Sequence, residues 1–342
     1  METLPIVFRG LHPDSIHRAI HHFDVLDLYP EETLIGAGER HPALVMVLRG
    51  QVEARRDGND RRRVGSGEVL GFTTLFGSGR WPTTLRTLSD CRLMVLELSG
   101  YQALRSEGSR VALAIEEYAL ELLLDALVRS WTEVAHFLTP RPLSEVVPSK
   151  SFFERCAAAF GAGGILSVNV NRIDGLAASP LFRNAEREHL KGLAPRFGGL
   201  KVDTGEFLVR QGEASTSMFL IIDGAVDVLS DTRGRGEHVV CHETLGPGAL
   251  FGESSMLRTA PSPASYVARE RTVLLELDRV AWADLALARN EVGNVLRLAV
   301  LRSLTRQLVD TRARQMSLAS GGELRQADLH DRFVTILPGG RR

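Results

Sequence analysis

The chain has only 3 cysteines in 342 residues. Cys91, Cys156 and Cys241 stand far apart, with no Cys-x-x-Cys spacing and no neighbouring His pair. This scattered, odd count argues against a disulfide framework or a structural cysteine-zinc site. Charge of one sign is also lacking. The formal net charge is −1, which gives no general pull toward nucleic acid or a membrane surface. The basic run Arg61-Arg62-Arg63 reads as a solvated turn. No apolar stretch approaches the roughly 20 residues that span a bilayer. The start, Met1-Glu2-Thr3-Leu4-Pro5, lacks the basic and apolar regions of a secretory signal. These absences predict a soluble, cytoplasmic protein. There is no Gly-x-Ser-x-Gly elbow, no Walker loop and no His-Glu-x-x-His, so no catalytic residue is nominated and a non-enzymatic role is expected.

Hydrophobic residues make up 44% and charged residues 24%, a balance that suits a globular protein with a proper core. The length predicts two or three domains.

An internal repeat sets the architecture. Phe8-Arg9 recurs as Phe182-Arg183, Phe23 as Phe197, Glu32 as Glu206, Gly38-Glu39 as Gly212-Glu213 and Gly50 as Gly224, at one constant offset. Gly71 pairs with Gly252 at a longer offset, which places an insertion in the polar turn Ser230 to Glu237. Each copy opens with a short amphipathic helix (Asp14 to Phe23; Ala185 to Phe197). Short strands follow, separated by Gly-containing turns, and the apolar runs Leu44 to Leu48 and Met218 to Ile222 read as buried strands. Each copy closes with a long helix (Val111 to Phe137; Val292 to Val309). The second of these carries an apolar stripe at Leu296, Val300, Leu304 and Leu308. That stripe needs a partner surface, either its own sheets or a second chain in a homodimer.

The predicted fold is therefore mainly β with α: two jelly-roll barrels, each with a short N-terminal helix and a long C-terminal helix. The expected divisions are a first domain at 1–138, a Pro- and Gly-containing linker at 139–173, a second domain at 174–315 and a tail at 316–342. Residues Ser151 to Phe160 read as a short amphipathic helix within the linker.

These residues resemble the cyclic-nucleotide-binding domain family of catabolite-activator-type regulators and kinase A regulatory subunits. The resemblance covers Leu4 to Leu138 and Asp174 to Thr311. The family's phosphate-binding cassette reads Phe-Gly-Glu, then a short helix, then an Arg nine or ten residues beyond the Glu. Phe251-Gly252-Glu253-Ser254-Ser255 matches it in the second copy. By this resemblance Glu253 accepts a hydrogen bond from a ribose hydroxyl, while Ala264 and Ser265 supply backbone and hydroxyl donors. Nine and ten positions beyond Glu253 stand Ser262 and Pro263, and there is no Arg. The first copy departs further, with Leu70-Gly71-Phe72 and then Trp81, Pro82 and Thr83. An apolar pair at Phe72 and Trp81 predicts a first pocket closed to a charged phosphate.

The ligand implied for the second copy is cAMP or cGMP, and no resident cofactor or metal is expected. His17 and His21 have i, i+4 spacing, but no third ligand accompanies them and the second copy lacks them, so they read as a solvated helix face. After the closing helix too few residues remain for a DNA-binding winged helix. The function implied is a ligand-responsive adaptor signalling through an unidentified protein partner. The alternative is an interaction scaffold whose modules no longer bind nucleotide.

Overall fold

The computed structural model describes residues 2–56, 61–147, 164–231, 237–288 and 290–319. The expected helix at Ser151 to Phe160, the middle of the turn between Ser230 and Glu237, and most of the expected tail lie outside them.

The first copy supplies strands β1 (Asp24–Leu28), β2 (Thr33–Ile35), β3 (Ala43–Arg49) and β4 (Gln51–Arg55). It continues with β5 (Arg61–Gly65), β6 (Val69–Leu70), β7 (Thr84–Thr87) and β8 (Cys91–Glu97). These build two four-stranded sheets, ordered β1-β8-β3-β6 and β2-β7-β4-β5. Two short strands follow, β9 (Arg141–Pro142) and β10 (Ile165–Ser167). The second copy gives β11 (Gly198–Val202), β12 (Phe207–Val209), β13 (Ser217–Asp223) and β14 (Val226–Asp231). It ends with β15 (His238–Leu245), β16 (Leu250–Phe251), β17 (Ser265–Ala268) and β18 (Thr272–Asp278). Its sheets, β10-β11-β18-β13-β16 and β12-β17-β14-β15-β9, repeat the first pair's order, each with one more edge strand. Residues 139–173, expected as a linker, supply those edges: β10 pairs with β11 and β9 with β15.

The jelly-roll strand order is as expected, but closure is not. Among the described residues the two sheets of each copy remain separate ladders, so each copy is a β-sandwich rather than a barrel. The apolar runs form the core strands: Ala43 to Val47 and Ser217 to Ile221 are buried without interruption, as a strand covered on both faces requires. On β4, Val52 and Ala54 alternate with more accessible residues, the pattern of a strand with one face to the core. The basic run is strand, not turn. Arg61 to Arg63 open β5, where Arg61 faces Glu53 at 3.9 Å and Arg62 pairs with Glu68 at 2.9 Å.

The opening helices are Pro13–Ala19 and Arg187–Leu193, each followed by one 3₁₀ turn, Ile20–His22 and Ala194–Arg196. The first closing helix, Arg110–Ala135, lies close to its expected span, while the second, Glu291–Ala319, runs longer than expected; they follow shorter helices at Leu98–Ser106 and Arg279–Leu287. The stripe Leu296, Val300, Leu304 and Leu308 is no more than 1% exposed, so it is not an open seam for a second chain. The chain divides into two compact units, Met1–Leu123 with Ala288–Thr305, and Leu124–Leu287 with Arg306–Arg342. No helix among the described residues is long and apolar enough to cross a membrane.

Candidate functional site

Both cassettes are built the same way. In the first, β6 leads through Gly71 into the helix Phe72–Leu75; in the second, β16 leads through Gly252 into the helix Glu253–Arg258. Both glycines hold positive φ, 100° and 84°, the left-handed region where a side chain is strained. Gly71 is fixed by space as well, because a Cβ there would sit 2.2 Å from the Ala43 carbonyl oxygen.

Trp81 and Ser262 occupy one equivalent backbone position. The Trp81 amide donates to the Glu39 carbonyl at 2.9 Å, and Gly38 donates back to Trp81 at 2.8 Å. The Ser262 amide donates to Glu213 at 2.8 Å, and Gly212 donates back at 2.9 Å. The repeated Gly-Glu pair thus clamps the strand leaving each cassette. The next hydroxyls also match: Thr84 Oγ1 accepts from the Ala37 amide, and Ser265 Oγ from the Gln211 amide.

The first cassette is filled from within. Trp81 is 3% exposed, its indole N–H donates to the His41 carbonyl at 2.7 Å, and its ring packs among Val45, Val47, Val52 and Leu85. Phe72 is equally buried and meets the Tyr118 ring at 5.6 Å. Thr74 donates to the Gly71 carbonyl at 2.6 Å, which ties the cassette helix to its own turn. Thr83 is half-buried. Arg80, beside the equivalent position, is exposed and donates to the Gly38 carbonyl at 3.0 Å.

The second cassette is closed as well, by different groups. Phe251 is fully buried and lies stacked between Phe219 at 5.3 Å and Tyr266 at 4.9 Å. Tyr266 is 2% exposed. Burial first, then the Glu253 and Glu243 charges, hold that phenol well above its usual pKa. Ser262 Oγ donates to the Ala264 carbonyl at 2.7 Å, and both residues are buried. Ser255 Oγ accepts from the Ser215 amide and donates to the Ala260 carbonyl at 2.6 Å, so this hydroxyl staples the loop. Ser254 is buried beside it. Arg258 lies against Asp125 at 2.9 Å. Arg279 holds the end of the cassette helix through the Met256 and Ser215 carbonyls, both at 3.0 Å.

Glu253 is 2% exposed, and its Oε1 accepts from the Gln307 carboxamide at 2.9 Å. Gln307 also donates to the Leu250 carbonyl at 3.1 Å. Burial pushes the Glu253 carboxyl up to about 7, against the opposing effects of its own backbone amide and Gln307. Glu243 is likewise pushed up to about 7, by burial and then by Asp310. Asp310 itself rises to about 6 through burial. His242, stacked on Trp131 at 5.8 Å and bonded to Ser230 at 2.7 Å, is lowered to about 4 by burial and then by Arg314. The interior beside this cassette is thus acidic, with carboxyls poised near neutral charge.

A further polar cluster lies in the first unit. Glu116, 1% exposed, accepts from Arg297 at 2.5 Å and from the Tyr101 hydroxyl at 2.8 Å, with Arg105 at 3.1 Å. Arg297 also donates to Asn294 at 2.5 Å and to the Ala288 carbonyl at 3.1 Å.

A model of the cyclic nucleotide-binding domain matches residues 25–107 and again 200–289, just over half of the chain. The chain belongs to the cyclic nucleotide-binding domain family. It is similar to the cAMP-dependent protein kinase regulatory subunit of Blastocladiella emersonii, 27% identical over 169 residues, 46% of this chain and 41% of the relative. The corresponding subunit of Yarrowia lipolytica is 31% identical over 137 residues, 38% of this chain and 35% of the relative. The chain therefore spans well under half the length of these relatives. Among solved structures, the regulatory domain of Toxoplasma gondii PKA with cAMP covers 85% of this chain and 90% of its own, at 15% identity and a TM-score of 0.32. The family match covers both cassettes described above.

Proposed function

We propose that the chain is a non-catalytic regulatory protein whose two cyclic-nucleotide-binding-type domains serve as interaction modules for a protein partner and do not take up cAMP or cGMP. One observation carries this reading. Trp81 and Ser262 stand at the same clamped position in the two cassettes, where the family resemblance calls for a phosphate-binding Arg, and both are buried with their polar atoms bonded internally. A hydrogen bond to a charged group contributes about 1.5–3 kcal/mol, so its loss lowers affinity by roughly 10- to 100-fold. Beside the second cassette Glu243 is coupled electrostatically to Glu253 and to Asp310, and where these carboxyls are ionised they disfavour an anion further. Similarity to kinase regulatory subunits supports a regulatory role and a kinase-type partner.

A second reading, a nucleotide-responsive second domain, is favoured by one feature. Glu253 keeps the family's position at the start of the cassette helix, and its Oε2 has no hydrogen-bond partner. Calorimetric titration with cAMP and cGMP separates the two readings. The interaction-module reading expects no saturable heat at millimolar nucleotide. Micromolar binding that disappears in Glu253→Ala replaces it with the sensor reading.

A further inference from the structure

The first unit brings together three side chains able to ligate a metal, the adjacent His21 and His22 and, 85 residues beyond His22, Glu107. His21 and His22 end the 3₁₀ turn Ile20–His22, and Glu107 caps the helix Leu98–Ser106. One ligand atom from each lies within 4.8 Å of the other two. His22 Nε2 is 3.1 and 3.2 Å from the two Glu107 oxygens, and the His21 and His22 rings stand 4.0 Å apart, tilted by 40°.

The spacing is chemically meaningful. Nitrogen and oxygen ligands bind zinc at about 2.0–2.2 Å, which puts tetrahedral donors roughly 3.4 Å from one another. The His22–Glu107 pair already meets that, and small side-chain rotations bring His21 into range. The frame is rigid, because Gly100 of the same helix packs on the His22 carbonyl so closely that a Cβ would sit 2.6 Å from its oxygen. The cluster is also reachable: the His22 side chain is 12% exposed, that of Glu107 is 52% exposed, and His21 is on the surface.

The second copy shows that packing does not require imidazoles here. Its corresponding turn and helix, Ala194–Arg196 and Arg279–Leu287, are joined by an ordinary ion pair, Arg196 to Asp284 at 3.2 Å. Two imidazoles and a carboxylate form a borderline donor set that suits zinc, nickel or copper rather than calcium or magnesium.

We propose that His21, His22 and Glu107 form a binding site for one divalent transition-metal ion of the zinc type, with the remaining position open to water or to a donor from another molecule. Binding fastens the opening turn to the helix Leu98–Ser106.

The test is calorimetric titration of the untagged full chain with ZnCl₂ after chelation and buffer exchange, repeated on His21→Ala, Glu107→Gln and His17→Ala. Circular dichroism checks that each variant is folded. The expected result is one equivalent of zinc bound in the micromolar range or tighter. His21→Ala and Glu107→Gln weaken it at least tenfold, and His17→Ala leaves it unchanged. With cobalt as the probe, visible d–d absorption of a low-symmetry site appears in the wild type and is lost in His21→Ala. Either the absence of stoichiometric binding, or binding unchanged by both His21→Ala and Glu107→Gln, overturns the proposal.

Discussion

The Gln307 carboxamide donates to the Glu253 carboxylate at 2.9 Å and to the Leu250 carbonyl at 3.1 Å, so one side chain of the last helix serves both the strand entering the second cassette and the acid that opens its helix. Gln307→Ala removes both bonds and leaves Glu253 buried with less compensation. Stranding a buried polar partner costs about 1–3 kcal/mol. Urea denaturation should show a loss of this size, and Gln307→Glu should lose more at pH 8 than at pH 6, where carboxyls are more readily protonated.

The same interior predicts a pH profile. Glu253 and Glu243 titrate near 7 when folded, above the ordinary carboxylate value. Each holds more protons folded than unfolded, so its contribution is full below the unfolded value and is lost as pH rises through about 7. His242, lowered to about 4, runs the other way: its contribution is present above the ordinary histidine value and is lost as pH falls toward 4. Unfolding free energy measured in urea should therefore decline from pH 6 to pH 8, by on the order of 1–3 kcal/mol. Glu253→Gln should flatten that slope, and an unchanged slope in both Glu253→Gln and Glu243→Gln would remove these acids as its source.

The repeat was legible because its markers are residues that backbone geometry cannot exchange. Gly38-Glu39 and Gly212-Glu213 clamp Trp81 and Ser262 through matching hydrogen bonds, and Gly71 and Gly252 both hold positive φ. The buried strands followed from unbroken apolar runs. What could not be read was whatever depends on distant chain meeting: Tyr266 looks like an ordinary strand residue, and Gln307 and Arg297 sit inside a helical pattern whose apolar stripe drew attention instead. Closure of the sheets was misjudged because strand count and turn signals are common to barrels and sandwiches. The run Arg61 to Arg63 was misread because its charge obscured a strand partnered by Glu53 and Glu68.

Arg297 and Glu116 are 4% and 1% exposed and lie 2.5 Å apart. Breaking a buried pair from one side leaves an uncompensated charge and costs about 3–5 kcal/mol. Glu116→Ala should lose that much in thermal or urea unfolding, because Arg105 and Arg297 both face the vacated carboxylate. The double variant Glu116→Leu with Arg297→Met should lose less than Glu116→Ala alone, since both charges leave together.

Trp81 fills the first cassette with an indole whose N–H is bonded to the His41 carbonyl. Truncating a buried aromatic side chain costs about 3–5 kcal/mol. Trp81→Ala should show this loss, while Trp81→Phe, which keeps most of the volume and drops only the N–H, should recover more than half of it. Equal losses for the two would mean that the hydrogen bond, not the packing, holds this cassette closed.

The last expectation concerns nucleotide entry into the second domain. Ser262→Arg places a guanidinium at the clamped position, but Tyr266 still stacks on Phe251 and stays buried. A phosphate needs free backbone donors at the start of a cassette helix, and the buried Tyr266 ring packs on Phe251 just before that helix. Ser262→Arg alone should therefore show no cAMP binding in calorimetry. Adding Tyr266→Val frees that ring's volume, and the pair should bind with an affinity gain of at least about 10- to 100-fold, the worth of one charge-assisted hydrogen bond. If the single variant binds as well as the double, the missing cation alone sets the barrier and Tyr266 is a packing residue without a gating role.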